Sequence, residues 1–552
     1  MALLAPSSNV GDLLRDLAIQ APGVTVSQQP LDRLGYSGDA TPLTFLERRA
    51  GVIPQGPGAV VWPGTTQDVV TLVKLAGKHG VPLFPFGAGS GVVGGLRPRT
   101  GGVVVDVKRF GHVTVDATAR CVEAGAGVLG ERLERALNVS GFTAGHFPSS
   151  IYCSTVGGWV AARSAGQLSS RYGKIEDMIL ALEAVDGAGR VFMARRGDVP
   201  DLLRAIVGSE GSLAIITRAW LRIHPLQSHH AIFGLAAPNV TAGLTFMRQV
   251  MQAGLRPSVF RMYDPPDTML AGGIPKQSPA PLVLAGPISR AGHEDGSMRG
   301  PSYSGNAPTN LFDVLSRRAT AALKRQFTAG RATPLVQGLV GRALSRTDWL
   351  HVPYARLPTH CLMVMGVEGE SADVEEALEH ALSLARANDV QVTGRAPGER
   401  WLKRRHAVTY KMPPFLRAGG WADTLEVSAS WSVVEPLYFQ AREVMLRHAV
   451  TLAHFSHAYA EGGSIYFTLA GGSAPGLDAA LAAHDAAVED ALAVFARLGA
   501  SLSHHHGAGR MKLAQLQQSL GPGARDALMR LKNALDPHGI LNPGVLGLGV
   551  TP

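Results

Sequence analysis

The chain has 552 residues, 46% of them hydrophobic and 17% charged, and a formal net charge of +9. That length exceeds one ordinary core, so two or more domains are expected, and the composition suits a well-buried globular protein. Three cysteines, Cys121, Cys153 and Cys361, exclude a disulfide framework and fit no zinc motif, which points to a reducing compartment.

The 65 glycines and 35 prolines show no period, so collagen-like and repeat architectures are excluded. Residues 1–23 carry Asp12, Arg15 and Asp16 without a basic leader, and no signal peptide is expected. No uncharged apolar run is long enough to cross a bilayer. A cytoplasmic protein is expected, with peripheral attachment to the inner membrane face as the alternative. The positive charge fits a basic face for anionic partners, or equally arginines on solvated faces. No nucleic-acid motif is present, so no nucleic-acid partner is expected.

In chain order, residues 59–64 read as a short buried strand ended by Pro63 and Gly64. Thr65, Thr66 and Asp68 supply cap chemistry for a helix with apolar positions Val69, Leu72, Val73 and Ala76, closed by Gly80. Residues 81–86 form a second apolar run, and 102–107 and 121–126 read as further strands. Strands alternating with helices predict an α/β-like domain. Residues 177–186 and 213–223 continue that style. After Pro225 the texture changes: 228–270 alternate strand and amphipathic helix, and 272–310 are loop-like. Residues 311–346 interleave Arg317, Arg318, Lys324, Arg325, Arg331, Arg342 and Arg346 with apolar residues. A solvated helix face is favoured there over a membrane-surface helix. Residues 360–500 read as strands with long helices at 372–387 and 477–498, and the chain ends in a helix followed by Asp536-Pro537-His538-Gly539-Ile540-Leu541-Asn542-Pro543.

Two motifs carry chemistry. Pro85-Phe86-Gly87-Ala88-Gly89-Ser90-Gly91 follows a strand directly, and its glycines let backbone N–H groups approach phosphate closely. It lacks the lysine of an ATP-type loop, and no helix starts at once after it, so neither that loop nor a dinucleotide fingerprint is supported. Far downstream, Ser503-His504-His505-His506-Gly507 sets three imidazoles side by side, able to titrate near neutral pH, shuttle protons and attract phosphate. In an extended conformation His504 and His506 share a face and His505 points away. No carboxylate or cysteine lies at ligand spacing, so no metal is expected.

Further segments of small and hydroxyl residues accompany the glycine loop. They are Thr143 to Ser150, Ser154-Thr155-Val156-Gly157-Gly158-Trp159, Arg163-Ser164-Ala165-Gly166, Tyr172-Gly173 and Val207-Gly208-Ser209-Glu210-Gly211-Ser212-Leu213. In this order they resemble the flavin-binding domain of the vanillyl-alcohol oxidase (PCMH-type) superfamily. Within it the chain is most similar to the alkyl-dihydroxyacetonephosphate synthase family. The resemblance rests on Gly145-His146, Tyr172 to Asp177, Ser258 to Asp264 with Arg261, Ser464-Ile465-Tyr466-Phe467-Thr468, and the histidine triplet. It implies an α+β protein with a PCMH-type FAD domain, an inserted α+β cap and a C-terminal helical tail. The expected divisions are an N-terminal segment 1–44, the FAD domain 45–227, the cap 228–500 with a variable basic insert 272–350, and a C-terminal segment 501–552.

It further implies noncovalent FAD, since the glycine loop has no His or Cys and Cys153 reads as a packing residue. The residues implied to hold FAD are Pro85, Phe86, Gly87, Ala88, Gly89, Ser90, Gly91, Ser149, Ser150, Ser154, Thr155, Gly158, Ala162, Arg163, Ser164, Ala165, Glu210, Gly211, Ser212, Leu213 and Ile216. Catalytic roles fall to Tyr466, donating a proton or accepting one once its pKa is lowered, to His504, His505 and His506, and to Arg261 as a clamp for an anionic group. The family's reaction replaces the acyl group of acyl-dihydroxyacetone phosphate with a fatty alcohol through a flavin N5 adduct, without net redox change. The chain departs from the pattern at Met412, where the family carries a substrate-gripping arginine, and at Phe147, where it commonly shows a carboxylate. Lys411 and Arg417 are the two candidate stand-ins for that arginine. The alternative is an FAD-linked oxidase or dehydrogenase of D-2-hydroxy acids such as D-lactate or glycolate. The expected partner is thus a small molecule, a lipid phosphate or a 2-hydroxy acid, and a homodimer is compatible with either.

Overall fold

The computed structural model describes residues 7–49, 51, 56–98, 101–271, 273–274, 359–407, 420–472 and 476–549. The basic segment 311–346, Lys411, Met412 and Arg417 lie outside the described residues.

Local capping chemistry sets the first α/β unit. The strand Ala59–Trp62 leads into the helix Thr66–His79, which a capping box opens: Asp68 N donates to Thr65 Oγ1 at 3.1 Å, and Thr65 N donates to Asp68 Oδ2 at 2.9 Å. Gly80 closes the helix in the left-handed conformation, φ 65°. Leu83–Phe86 and Val103–Asp106 join Ala59–Trp62 in a parallel ladder, and Thr25–Ser27 pairs antiparallel on its edge. A second sheet of five antiparallel strands runs in the order Val113–Asp116, Cys121–Gly125, Ala214–Arg222, Ile179–Asp186, Val191–Arg195. One hydrophobic core serves both sheets. It takes in Val10, Leu13 and Leu17 of the N-terminal helix Ser8–Gln20, and Ile540, Leu541 and Leu548 from the other end of the chain.

The cap is a seven-stranded antiparallel sheet in the order Gln391–Gly394, His229–Ala237, Cys361–Gly369, Val259–Tyr263, Val450–Ala458, Gly462–Gly472, Gly420–Ser430. Alternate residues on one face, including Phe233, Met363, Phe260, Phe455, Phe467 and Leu425, form a second core. The helices Val240–Gln252, Ser371–Ala387, Trp431–Leu446 and Leu477–Arg497 pack into it. The period of two sends the intervening residues to the opposite face, where Ile232, Val259 and Val364 join the core of the first domain. The cap therefore presents one face to its own helices and the other to the flavin-type domain.

Candidate active site

Strand Leu83–Phe86 delivers the glycine loop at its C-terminal end. Among the described residues, the N–H groups of Ala88, Gly89, Ser90 and Gly91 meet no protein acceptor. Such a run of free amides fits a pyrophosphate. Gly87 is required by proximity, since a Cβ there would stand 2.3 Å from Thr155 Oγ1. Thr155 caps the helix Val156–Ala162, accepting from Gly158 N at 3.3 Å. Behind it, Ser154 Oγ donates to Ser150 O at 2.9 Å, and Gln167 Nε2 donates to Ser149 Oγ at 3.1 Å. Arg163 ends that helix at φ 55°, and Glu210 adopts φ 51°. Both are left-handed positions that cost a non-glycine residue strain, a cost that concentrates at functional loops. Glu210 N donates to Ala161 O at 2.9 Å, and Ser212 Oγ to Ser209 O at 2.7 Å. The structure thus brings the loops at 85–91, 149–155, 162–165 and 210–216 together, with a donor set that fits a flavin nucleotide. Leu213 and Ile216 are core residues, so their backbone alone remains to meet a cofactor.

The C-terminal Asp-Pro-His-Gly-Ile-Leu-Asn segment braces these loops. Lys532 Nζ, fully buried, donates to Ser212 O at 2.7 Å, Leu541 O at 2.8 Å and Asp536 Oδ2 at 2.5 Å. Asp536 also accepts from Ile540 N at 3.1 Å and Leu541 N at 2.8 Å. Asn542 Nδ2 donates to Gly95 O at 3.0 Å and Glu210 O at 2.7 Å.

Across the cap sheet, Tyr263, His454, Tyr466 and Glu426 stand in register on four adjacent strands. Their side chains share the face turned to the flavin-type domain. The rings of His454 and Tyr466 stack at 4.8 Å, and His454 Nδ1 meets Asp267 Oδ2 at 3.2 Å. A β-bulge between Phe455 and His457 then pairs His457 with Ser464. The extra residue re-aims His457 to the face of His454, against simple alternation. Arg261 lies two residues before Tyr263, on that same face. Its guanidinium stands 5.8 Å from the Trp401 ring, and its Nε has no partner among the described residues. Phe147 packs under the guanidinium of Arg405, 4.8 Å from it.

Glu426 organises the histidine triplet. Fully buried, it accepts the backbone N–H groups of His504, His505 at 3.3 Å and His506 at 2.9 Å, and the Ser503 hydroxyl at 2.7 Å. Lys512 Nζ lies 3.7 Å from its Oε1. The triplet is therefore curled around a carboxylate, not extended, and this corrects the expectation that His505 points away. Its ring lies 5.1 Å from that of His504, 4.5 Å from His506, 5.4 Å from His457 and 6.3 Å from Tyr466. The turn after the triplet is tied to the flavin-type domain, since Glu210 Oε1 accepts from Ala508 N at 2.8 Å and Gly509 N at 3.0 Å.

Burial dominates the electrostatics. It lowers the pKa of His504 and His457 well below the ordinary imidazole value, lowers His505, and brings His506 to about 3. His146, tilted against the Trp159 ring at 4.6 Å and bonded to Ser164 Oγ at 2.7 Å, is likewise pushed down to about 3 by burial. These imidazoles are neutral at physiological pH, so they trade protons but do not attract phosphate by charge, contrary to the expectation from the triplet alone. Burial also pushes the Tyr466 phenol up to about 12. The Tyr466 phenol is therefore held protonated, and its pKa is raised where the sequence reading allowed for a lowered, accepting tyrosine. Burial would raise Glu426 too, but the charge of Lys512, the largest opposing influence, outweighs it and holds the carboxyl well below its usual range.

Sequence reasoning singled out Tyr466, Arg261 and the triplet, and the structure gathers them on one face. It missed Glu426, Lys512, Ser169, Tyr459 and His454. The available signal was the alternation of Thr424 with Glu426 and of Tyr466 with Thr468, which places those residues on one face. Nothing local announced the bulge at His457 or the curl of the triplet.

A domain of glycine and hydroxyl loops, closed by a sheet that offers it a buried acid–base face, defines an FAD-dependent enzyme. The family of FAD binding domains matches residues 57–195, and that of FAD linked oxidases, C-terminal domain, matches residues 226–546. The second match spans more than half of the chain, and the protein belongs to that family, with FAD as its cofactor. It is 29% identical over 513 residues to an alkyldihydroxyacetonephosphate synthase of Trypanosoma brucei brucei, covering 90% of this chain and 74% of that protein. It is 26% identical over 525 residues to an uncharacterized FAD-linked oxidoreductase of Escherichia coli strain K12, covering 89% of each. A solved alkyldihydroxyacetonephosphate synthase superposes with a TM-score of 0.71 at 23% identity, covering 98% of this chain and 86% of that one. No described helix is long and apolar enough to cross a membrane.

Proposed function

We propose that this protein exchanges an ester-linked acyl group for an ether-linked alkyl group on a dihydroxyacetone phosphate, as an alkyldihydroxyacetonephosphate synthase does. The observation that carries the reading is the buried cap face, where the neutral imidazoles of His505 and His506 face a protonated Tyr466, with His457 and His504 packed against His505, on the face that also carries Arg261. Such a set moves protons without building charge, and the exchange calls for proton transfers with no net transfer of electrons. FAD would be held noncovalently by the loops at 85–91, 149–155, 162–165 and 210–216, and when bound it would supply the flavin ring's reactivity toward the substrate ketone. Arg261 orients the anionic end of the substrate through its unpartnered N–H. Tyr466 donates a proton, and the histidines take up those released by the substrate α-carbon and the incoming alcohol. The family match supports a second reading, oxidation of a D-2-hydroxy acid with Arg261 on its carboxylate.

Anaerobic mixing with D-lactate, glycolate and longer 2-hydroxy acids separates the two. The flavin is expected to stay oxidised, while acyl-dihydroxyacetone phosphate with a long-chain alcohol yields the ether product and free fatty acid. Bleaching by a 2-hydroxy acid overturns the exchange reading.

A further inference from the structure

We infer that Ser169 and Tyr459 complete a proton wire of five side chains, His457–Ser169–Tyr459–His504–His505, which passes a proton between His505 Nε2 and His457 Nε2. The inference rests on the acid–base reading of the site given above.

Four contacts make the wire. His457 Nδ1 meets Ser169 Oγ at 2.7 Å, Ser169 Oγ meets the Tyr459 hydroxyl at 3.0 Å, that hydroxyl meets His504 Nε2 at 2.9 Å, and His504 Nδ1 meets His505 Nδ1 at 2.9 Å. Ser169 opens the helix Ser169–Tyr172 of the flavin-type domain, and Tyr459 follows the cap strand Val450–Ala458. The wire therefore forms where the two domains meet. Ser169, His457 and His504 are buried, which keeps water from competing for the links.

Each link holds one proton, so the donors must all point the same way. In one arrangement Ser169 donates to His457, Tyr459 to Ser169, His504 Nε2–H to Tyr459, and His505 Nδ1–H to His504 Nδ1. His505 Nε2 is then a bare base, and His457 carries its proton on Nε2. In the reverse arrangement His457 Nδ1–H donates to Ser169, Ser169 to Tyr459, Tyr459 to His504 Nε2, and His504 Nδ1–H to His505 Nδ1. His505 Nε2 then carries a proton and His457 Nε2 is bare. Both arrangements hold five protons on the wire and no net charge. Uptake of one proton at His505 Nε2 is balanced by release of one at His457 Nε2. Burial favours neutral rings throughout, in keeping with this count.

The two ends are close, with the rings of His457 and His505 only 5.4 Å apart. One bound substrate can lose a proton to one end and gain one from the other. Acyl-to-alkyl exchange makes that demand, since the alcohol gives up its proton while the α-carbon loses one and regains it. A shared metal is the competing use of this cluster, because ring nitrogens of His457, His504 and His505 lie within 4.8 Å of one another. Lys512, 3.7 Å from Glu426, and Arg261 on the same face oppose a further cation.

The test is ¹⁵N NMR of histidine-labelled, FAD-loaded protein, which reads tautomers without a substrate. The nitrogens of His504 and His505 are expected to show shifts averaged between protonated and bare forms. In Tyr459→Phe, which cuts the wire at its middle, they should separate into fixed tautomers. With substrate, Tyr459→Phe should keep flavin and KM, lose roughly 100-fold in kcat, and turn a curved proton inventory linear. Ser169→Ala, a smaller deletion, serves if Tyr459→Phe does not fold. Fixed tautomers in the wild type that Tyr459→Phe leaves unchanged, or one equivalent of metal bound to these histidines in the purified protein, overturn the wire. Neither result depends on exchange activity, so failure of the wire is distinct from failure of the proposed reaction.

Discussion

The flavin loops and the cap face are both rich in polar groups, yet they are built on opposite plans. The loops offer backbone amides at 88–91 that are unpaired among the described residues, and small side chains, in runs contiguous along the chain. The cap face offers side chains from four strands and a distant turn, brought into register by sheet pairing and held by one carboxylate, Glu426. Binding a phosphate needs many equivalent donors close together, which a glycine loop supplies locally. Moving protons needs a few unlike groups at fixed distances, which a rigid sheet holds better than a loop.

Three substitutions sharpen this contrast. Tyr466→Phe removes the donor from the cap face and leaves the loops intact. Turnover should fall by roughly 10²–10⁴-fold while the protein stays yellow; undiminished turnover would break the division of labour between the two regions. Asp536→Ala removes the buried partner of Lys532 beneath the flavin loops. It should cost about 3–5 kcal/mol and release flavin on mild heating, read by calorimetry and flavin fluorescence. A variant that melts and holds flavin like the wild type would show that the tail does not brace the loops.

The smallest effect concerns the far side of the cap sheet. Burial opposes the charge of His484, but Asp423 at 2.7 Å and Asp485 at 2.8 Å outweigh it and raise the imidazole from 6.5 to about 9. A raised folded-state pKa gives stability that is complete below pH 6.5 and lost as pH rises through about 9. Unfolding free energies from denaturant titrations across that window should fall by up to about 3 kcal/mol for the wild type and stay nearly flat for His484→Gln. Parallel curves would show that the ion pair adds nothing.

Much of the loop region was legible because its signals are local. The capping box at Thr65 and Asp68, the closing Gly80 and the strand into Gly87 each depend on neighbours within a few residues. The Asp-Pro-His-Gly-Ile-Leu-Asn segment could be recognised as a motif, but its role could not, because its partners Ser212, Gly95 and Glu210 are hundreds of residues away. The cap face was legible residue by residue through Tyr466, Arg261 and the triplet, but not as an arrangement.

The sequence by itself determined the α+β fold class, FAD as the cofactor and the residue types available for chemistry, because those follow from periodicity, glycine placement and contiguous motifs. Tertiary structure alone decided the state of those residues. It curled the triplet around Glu426, turned His457 inward through a bulge, joined Ser169 of one domain to Tyr459 of the other, and buried the imidazoles until they were neutral. Each outcome depends on which groups meet across long stretches of chain and how much water they exclude, and neither is written in any local window.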